Sequence, residues 1–462
     1  MNNALPRRDF LKFSASIAAG TSLALSAAAP VFAVPGLNRA MPPLTIRPQQ
    51  KALVFIMLDG GNDSYNMLVP TDERRYRDYR NTRSNLALSR HQLLPLQGMP
   101  YGLHPAIPEI QKLFNQNKLS FIANIGPLIE PVSKQRYMNG SALLPLGLMS
   151  HADQFKHWQT SRPGERLNRG WFGYFADVLQ RDKAADQVSM NISLAGSNIM
   201  QNGVVSRQYA IKHSGSVGLE ISERPTPLNR AIEASFETLL NTQYPHDPFK
   251  QTYLAITREA QAQHDVFRKA TNPAQVNTHF SSSELSQQLK MVARAIHSAE
   301  RLGMAQQTFF IRYIGWDHHD ELLNNQARML GVLSKALGEF QAALTELGVA
   351  NRVVTFTGSD FGRTLTSNGN GSDHGWGGNI LVMGEAINGG EIFGKYPSLQ
   401  LGHSNPLDAG DGVLIPTTAT DQLYAELSMW FGVNKRDLSV LFPNLRNFYD
   451  VTGADAPLGL FT

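Results

Sequence analysis

The amino-acid sequence predicts an α/β protein built on a doubly wound, mostly parallel β-sheet. Residues 51–58, 308–314 and 352–357 are short, largely apolar runs, which is typical of strands buried on both faces. Segments with the helical spacing of apolar residues separate these runs, and such alternation indicates right-handed β-α-β crossovers. Hydrophobic residues make up 42% of the 462 residues, which is enough for a large folded core.

In the first half of the chain, the sequence predicts two strands and three helices. The strands are residues 51–58 and 119–124, and a helical pattern at residues 105–115 precedes the second strand. Two further helical patterns begin near Ser150 and Gly170. The predicted elements therefore alternate in type from the first strand onward.

The second half begins with a polar segment and then returns to the alternating pattern. Residues from about 202 to 288 are polar, largely helical in pattern and interrupted by four prolines, and we interpret them as an insertion. The length allows one large domain or two, and we predict a single domain over residues 51–462. The later elements are a helix at 283–302, a strand at 308–314, a helix at 322–347, strands at 352–357 and 379–383, and a helix at 421–431.

The first 33 residues have the pattern of a twin-arginine signal peptide. Arg7 and Arg8 precede a modestly apolar stretch of small residues, and Val31 and Ala33 provide small side chains at the −3 and −1 positions. This pattern predicts cleavage after Ala33 and export by the twin-arginine translocation machinery. We therefore expect a periplasmic or secreted protein.

The same segment is a poor candidate for a membrane anchor. It is short and rich in alanine and serine, and Gly20 and Pro30 interrupt it, whereas a spanning helix needs about 20 strongly apolar residues. We expect no stable membrane span after cleavage. Residues 34–50 are rich in proline and are interpreted as a linker.

Composition and charge exclude several classes of site. The chain has no cysteine, so disulfides, thiolate zinc sites, iron–sulfur clusters and a cysteine nucleophile are excluded. The net charge is only +4, and no run of lysine and arginine is interleaved with aromatic residues, so we expect no nucleic-acid partner. Any metal must be held by histidine, carboxylate or neutral oxygen ligands.

Carboxylates and a histidine follow the apolar runs at residues 51–58 and 308–314. Ligands of open α/β sheets bind beyond the carboxyl ends of the strands, so these positions are candidates for chemistry. Asp59 and Asp63 follow the first run and could bind a cation, although aspartate is also common in solvated turns. Asp317 and His319 follow residues 308–314, and in an extended segment their side chains point to the same side. A capped helix start is the alternative there.

A second group of candidates follows residues 352–357. Asp360 lies at the end of this strand and Arg363 follows it, which is consistent with a metal ligand beside an anion-binding cation or with a structural ion pair. His374 closes a loop dense in glycine. The combination of Asp317, His319, Asp360 and His374 indicates a divalent-metal site of the zinc, manganese or iron type.

The nucleophile is less evident from the sequence. Ser150 opens a predicted helix, where the helix dipole favours an anion, but an N-cap serine explains the same position. His104 and His151 are additional ligand candidates, and each is also consistent with a structural, hydrogen-bonded histidine.

Taken together, these motifs resemble the exported proteins classified as "domain of unknown function 1501". That family is similar to a remote branch of the alkaline phosphatase and sulfatase superfamily. The resemblance covers nearly the whole mature chain and rests on Gly60-Gly61-Asn62-Asp63, Gly102-Leu103-His104-Pro105, Ser150-His151, Trp316-Asp317-His318-His319, Ser359-Asp360-Phe361-Gly362-Arg363-Thr364, Asp373-His374-Gly375, Ile415-Pro416-Thr417-Thr418 and Trp430-Phe431-Gly432.

The resemblance implies an alkaline-phosphatase-like fold with one or two divalent ions (zinc, manganese or calcium). In the arrangement that the resemblance implies, Asp317, His319 and His374 would bind one metal. Asp360 with Asp63 or Asp59 would bind the other, and Ser150 would be the nucleophile. Phe361 stands where the phosphatase pattern has a histidine, which is why a single ion is also consistent.

The leading hypothesis is an exported metal-dependent hydrolase that acts on a phosphate or sulfate ester of a small molecule or a polymer. Ser150 or a water molecule would attack the ester, and Arg363 would offset charge on its oxygens. The rival is a non-catalytic exported binding or assembly protein with the same fold. An acid–base enzyme that uses Asp and His without metal is a third alternative.

Overall fold

The computed structural model describes residues 44–46, 48–180, 184, 187–216 and 226–461. The predicted signal peptide, residues 1–33, lies outside the described residues, as do residues 34–43 and 47 of the predicted linker. Among the described residues, no helix combines the length and the apolar character needed to cross a membrane.

A ten-stranded sheet forms the centre of the molecule, with helices on both sides. The described strands are β1 (Lys51–Asp59), β2 (Leu68–Pro70), β3 (Leu94–Pro95), β4 (Tyr101–Leu103), β5 (Leu119–Gly126), β6 (Asn191–Ser193), β7 (Tyr209–Lys212), β8 (Gly215–Ser216), β9 (Gln306–Ile314), β10 (Val353–Ser359), β11 (Gly378–Met383), β12 (Ile392–Gly394) and β13 (Thr418–Ala419). Their order in the large sheet is β12-β5-β11-β10-β1-β9-β6-β7-β8, with β13 beside β5. Strands β2, β4 and β3 form a small separate sheet.

The sheet is mixed and mostly parallel, which confirms the predicted fold class. Strand β1 pairs in parallel with β9 and β10, and β6 pairs in parallel with β7 and β9. Strand β11 runs antiparallel to both of its neighbours, β10 and β5. The connection from β10 to β11 contains no helix, and without such a crossover the chain returns in the opposite direction.

The predicted helices near Ser150 and Gly170 are present, and so are those predicted at residues 283–302, 322–347 and 421–431. Their ends differ from the predictions by a few residues. The described helices are α1 (Ser64–Met67), α2 (Glu73–Arg83), α3 (Pro108–Asn115), α4 (Lys134–Met138), α5 (His151–Thr160), α6 (Trp171–Leu179), α7 (Pro227–Asn241), α8 (Pro248–Thr271), α9 (Glu284–His297), α10 (Leu322–Glu346), α11 (Thr420–Phe431) and α12 (Leu438–Leu441).

Strand β1 lies at the centre of the sheet and brings the candidate residues to one edge. All of its interior residues are buried, and they are largely apolar, as a strand covered on both faces requires. Its register aligns Leu58 with Tyr313 of β9 and with Ser359 of β10. The three strands therefore end at nearly the same level, and the loops that follow them meet beyond that edge.

The segment interpreted as an insertion contains strands as well as helices. Strands β7 and β8 lie within it, and β7 extends the large sheet beyond β6. Helices α7 and α8 pack against each other, and α8 contacts β8. The sequence did not predict these strands because each has only two to four residues.

One buried carboxyl group gives the fold a pH dependence. Asp421 is fully buried, and its Oδ1 atom accepts a hydrogen bond of 2.5 Å from Ser161. The Oδ2 atom has no hydrogen-bond partner among the described residues. Burial raises the pKa of Asp421 to about 7.

We expect the free energy of unfolding of wild type to fall relative to that of Asp421→Asn as the pH rises from about 4 to about 7. The folded-state pKa lies above the unfolded-state value of about 3.9, so the protonated group contributes its stability at low pH and loses it across this window. The slope is ~1.4 kcal/mol per pH unit. Urea unfolding of both proteins at constant ionic strength measures it. A difference that stays constant with pH would contradict the prediction.

Candidate metal centre

Three histidines and one aspartate meet beyond the carboxyl ends of β9 and β10. Asp317 and His319 follow β9, His374 lies between β10 and β11, and His151 is the first residue of α5. Ligand atoms of His151, Asp317 and His374 all lie within 4.8 Å of one another. The Nε2 atom of His319 lies 2.9 Å from His374 Nε2 and 3.0 Å from Asp317 Oδ1.

Each of the three imidazoles is oriented by an oxygen at its other ring nitrogen. These contacts are His151 Nδ1 to Asp360 Oδ2 at 2.6 Å, His319 Nδ1 to Asp373 Oδ1 at 3.0 Å, and His374 Nδ1 to the backbone oxygen of Met149 at 2.9 Å. A backbone carbonyl can only accept, so the proton of His374 lies on Nδ1 and its Nε2 atom carries a lone pair. Such oxygens beside a histidine are the usual outer partners of metal ligands.

The Nε2 atom of His374 faces the Nε2 atoms of both other histidines, and Asp317 lies beside all three rings. His374 Nε2 lies 3.1 Å from His151 Nε2 and 2.9 Å from His319 Nε2, yet its single lone pair can accept only one hydrogen bond. A cation held by His151, Asp317 and His374, whose ligand atoms all lie within 4.8 Å of one another, would satisfy the lone pairs that face it. Ligands held about 2.0–2.1 Å from zinc at tetrahedral angles lie roughly 3.3 Å apart, close to the separations seen here.

The charged partners support a ligand role for Asp317. Burial alone would raise its pKa, but the hydrogen bond and charge of Arg363 more than offset this, so the pKa of Asp317 is lowered and the group is ionised. The hydrogen bond to Asp360 raises the pKa of His151, while burial lowers the pKa of His374. Burial also raises the pKa of Asp360.

Arg363 forms an ion pair with Asp317 and fixes its position. Its side chain is buried, and its Nη1 atom donates to Asp317 Oδ1 at 2.7 Å and to the carbonyl of Gly60 at 3.2 Å. Its other nitrogens contact the hydroxyl and the carbonyl oxygen of Ser372. These contacts use four of the five N–H donors of the guanidinium, so in this structure Arg363 is a buried partner of Asp317.

Gly60 allows the backbone to approach this site closely. Its φ angle is +125°, and an added Cβ atom would lie 2.5 Å from the backbone nitrogen of Asp317. A side chain at this position would push the loop after β9 outward. The glycine at this turn therefore has a packing role beside Asp317.

Phe361 packs against two of the candidate ligands. Its ring centroid lies 4.8 Å from that of His151 and 4.5 Å from that of His374. The residue is buried. It therefore helps to fix both imidazoles where the phosphatase pattern would have a further histidine.

The structure does not bring Asp59 and Asp63 into this group. Asp59 Oδ2 accepts a 2.9 Å hydrogen bond from Arg312 Nε and a shorter one from its Nη2 atom. Asp63 is buried and forms an ion pair with the fully buried Arg83. These arginines already neutralise both carboxylates, and Asp360 orients a histidine. The contacts thus disfavour the expected second metal site of Asp360 with Asp59 or Asp63.

The other candidates have different surroundings. Ser150 is the N-cap residue of α5, but its side chain accepts no capping hydrogen bond from the helix, so the hydroxyl is not committed to that role. His104 is buried, its Nδ1 atom accepts from the backbone of Ala106, and burial lowers its pKa to about 4. His104 is therefore a structural histidine.

The sequence predicts a less central position for His151 than the structure gives it. His151 was only an additional candidate, although its place directly after Ser150 at a helix start was a usable signal. The outer contacts from Met149 and Asp373 were not predicted, because a backbone carbonyl and a loop carboxylate carry no local pattern for such a role.

We expect Asp360→Asn to weaken zinc binding by about 10-fold to 100-fold, which is typical when an outer partner of a histidine ligand is changed. An amide accepts the Nδ1–H of His151 less strongly than a carboxylate does, so the ring becomes a poorer ligand. Chelator competition measures the affinity. Asp373→Asn is the matched control, with a smaller expected effect because its side chain is 59% exposed. Equal effects of the two variants would contradict this.

Fold and site together define an α/β protein whose described residues contain one candidate metal centre, formed by His151, Asp317 and His374 with His319 beside them. The family model described as "Protein of unknown function (DUF1501)" matches residues 50–411, which is most of the chain. The chain belongs to this family, as its motifs indicated. No curated protein matches it.

Several solved structures share a distant likeness in fold. The structure of Ps i-CgsB has a TM-score of 0.34 and 9% identity, and the match covers 86% of this chain and 77% of that one. The lipoteichoic acid synthase LtaP from Listeria monocytogenes has a TM-score of 0.30 and 8% identity, and the match covers 79% of this chain and 71% of that one. A mutant of the alkaline phosphatase PafA has a TM-score of 0.28 and 11% identity, and the match covers 69% of this chain and 64% of that one. At these TM-scores the likeness carries no argument about the chemistry of this chain.

Proposed function

We propose that this chain is an exported metal-dependent hydrolase that acts on a phosphate or sulfate ester. The observation that carries the proposal is the convergence of His151, Asp317, His319 and His374, each imidazole having its Nδ1 atom held by an oxygen. Imidazole and carboxylate ligands suit zinc or manganese better than calcium, which takes six to eight oxygen ligands. We propose one ion, because Asp59 and Asp63 are paired with arginines away from the histidines and Asp360 contacts the outer nitrogen of His151.

The exposure of the ligands supports catalysis over a purely structural metal. The side chains of His151, Asp317, His319 and His374 are between 27% and 44% exposed. Structural zinc sites are closed by four protein ligands, whereas catalytic sites have three and keep a fourth position open to substrate. The mutually close ligand atoms of His151, Asp317 and His374 form such a set of three. The open site favours the hydrolase over the non-catalytic binding or assembly protein.

The residues of the candidate site would have distinct roles in ester hydrolysis. A divalent ion bound here would polarise an ester oxygen as a Lewis acid. Asp317 is held in place by Arg363, and the oxygens at Nδ1 keep each imidazole facing the centre. Ser150, which lies beside His151 and makes no capping hydrogen bond, or a water molecule would attack the ester.

The export part of the proposal depends on residues 1–33, which lie outside the described residues. The paired arginines, Arg7 and Arg8, and the small residues before the predicted cleavage site support passage through the twin-arginine machinery. That route carries folded proteins, which is consistent with a site that acquires its metal before export.

Metal analysis and turnover of 4-nitrophenyl phosphate and 4-nitrophenyl sulfate test the proposal. We expect about one zinc or manganese per chain in the wild type and hydrolysis of at least one ester, with both lost in Asp317→Ala. Asp320→Ala is the control, since Asp320 contacts Asn370 and the backbone of Glu321 instead of the ligands. If added zinc or manganese restores neither binding nor turnover in the wild type, the proposal fails.

A further inference from the structure

An apolar surface loop leads directly into the metal centre. Residues 143–149 read Leu-Leu-Pro-Leu-Gly-Leu-Met, whereas surface loops are usually polar. Leu143 is 59% exposed and Leu146 is 40% exposed. The loop ends at Met149, whose carbonyl accepts the Nδ1–H of His374, and it is followed by the helix that begins with His151.

A second exposed aliphatic side chain lies close in the chain to another candidate ligand. Ile314 ends β9, is 64% exposed, and precedes Asp317 by three residues. Leu146 likewise precedes Met149 by three residues. Three residues span at most roughly 11 Å. The backbone of Leu146 therefore lies within that distance of Met149, and the backbone of Ile314 lies within it of Asp317.

The loop is held in place by hydrogen bonds. The backbone nitrogen of Leu146 donates to the carbonyl of Pro163 at 2.8 Å, and its carbonyl contacts His157 Nε2 at 2.7 Å. Leu144 and Leu148 pack against the buried cluster that contains Trp376. The exposed leucines therefore stand on an anchored backbone, which keeps them available to a ligand at little ordering cost.

We propose that Leu143, Leu146 and Ile314 bind the apolar part of the substrate, so that the substrate is an amphiphilic ester. Exposed apolar surface beside a polar site marks ligand contact, and continuity with the metal centre identifies the occupant as the alkyl or aryl group of the same molecule. The inference rests on the proposed function, since the ester group occupies the metal centre while its apolar group lies on these side chains.

Binding of n-butyl, n-hexyl and n-octyl phosphate to the zinc-loaded protein, measured by calorimetry below the micellar concentration, tests this inference. We expect the dissociation constant to fall about twofold per added methylene, since full burial gives roughly fourfold and these side chains are only part of a surface. The butyl-to-octyl ratio would then be about 16. We expect Leu146→Ser and Ile314→Ser to lower this ratio at least about threefold.

Leu228→Ser is the matched control, because Leu228 is a 69% exposed leucine on α7, and it should keep the wild-type ratio. Thermal unfolding of each variant shows that it is folded. Equal affinity of the wild type for butyl and octyl phosphate, or a ratio that both variants retain, would overturn the inference and leave the metal-dependent function standing. A protein that binds no zinc would overturn both. A wild-type dimer that Leu146→Ser dissociates would show instead that copies of the chain cover this surface.

Discussion

The His374→Ala variant is expected to bind zinc more than about 100-fold more weakly than the wild type and to lose ester hydrolysis. His374 is the central ligand candidate, because its Nε2 atom lies next to those of both His151 and His319. Its loss removes a ligand, whereas changes to outer partners alone cost about 10-fold to 100-fold. Chelator competition and turnover of 4-nitrophenyl phosphate and sulfate measure the two effects.

The exposed histidine His91 provides a matched control for this variant. It lies in a short 3-10 turn, Arg90–Gln92, and is not among the residues of the candidate metal centre. His91→Ala should therefore keep the zinc affinity of the wild type. Wild-type zinc affinity in His374→Ala, with the fold intact by circular dichroism, would show that the ion does not bind at this centre.

The Arg83→Met variant is expected to lower the free energy of unfolding by about 3–5 kcal/mol. Arg83 is fully buried, forms an ion pair with the buried Asp63, and donates to the carbonyls of Thr364 and Leu365 at 2.9 and 3.1 Å. Without it, the Asp63 carboxylate remains buried and unpaired, and two carbonyls lose their donor. Urea unfolding near neutral pH measures the change.

The partly exposed pair of Arg136 and Glu130 is the control for burial. The side chain of Arg136 is 42% exposed, so Arg136→Met should cost less than about 1 kcal/mol. Restoring neutrality with Asp63→Asn in the Arg83→Met background should recover part of the loss. Similar unfolding free energies for Arg83→Met and Arg136→Met would contradict the account of the buried pair.

The secondary structure was largely readable from the sequence because most of its signals are local. The continuous run after Lys51 became β1, and the amphipathic pattern from Leu322 became the long helix α10. The direction of β11 was not readable, since it depends on how residues 360–377 cross beyond the sheet and not on a local pattern.

The candidate site was readable only where the geometry is local. Asp317 and His319 are two positions apart in the chain, and the structure places His319 Nε2 3.0 Å from Asp317 Oδ1. The backbone there forms tight turns, with hydrogen bonds from His318 to Trp316 and from His319 to Asp317, and is not the extended segment that we predicted. The partner of Asp59 is Arg312, which lies 253 positions away in the chain, so no spacing rule identifies it. The same is true of His151, because the contact with Asp360 joins residues 209 positions apart.

X-ray absorption spectroscopy of the zinc-loaded protein tests the central claim most directly. A zinc ion at this centre should show imidazole scattering from two or three histidines, with nitrogen and oxygen ligands at about 2.0–2.1 Å and a coordination number near four. The imidazole contribution should decrease in His374→Ala. Zinc that dialysis removes completely, or a spectrum of oxygen ligands without imidazole, would contradict the metal centre formed by His151, Asp317 and His374.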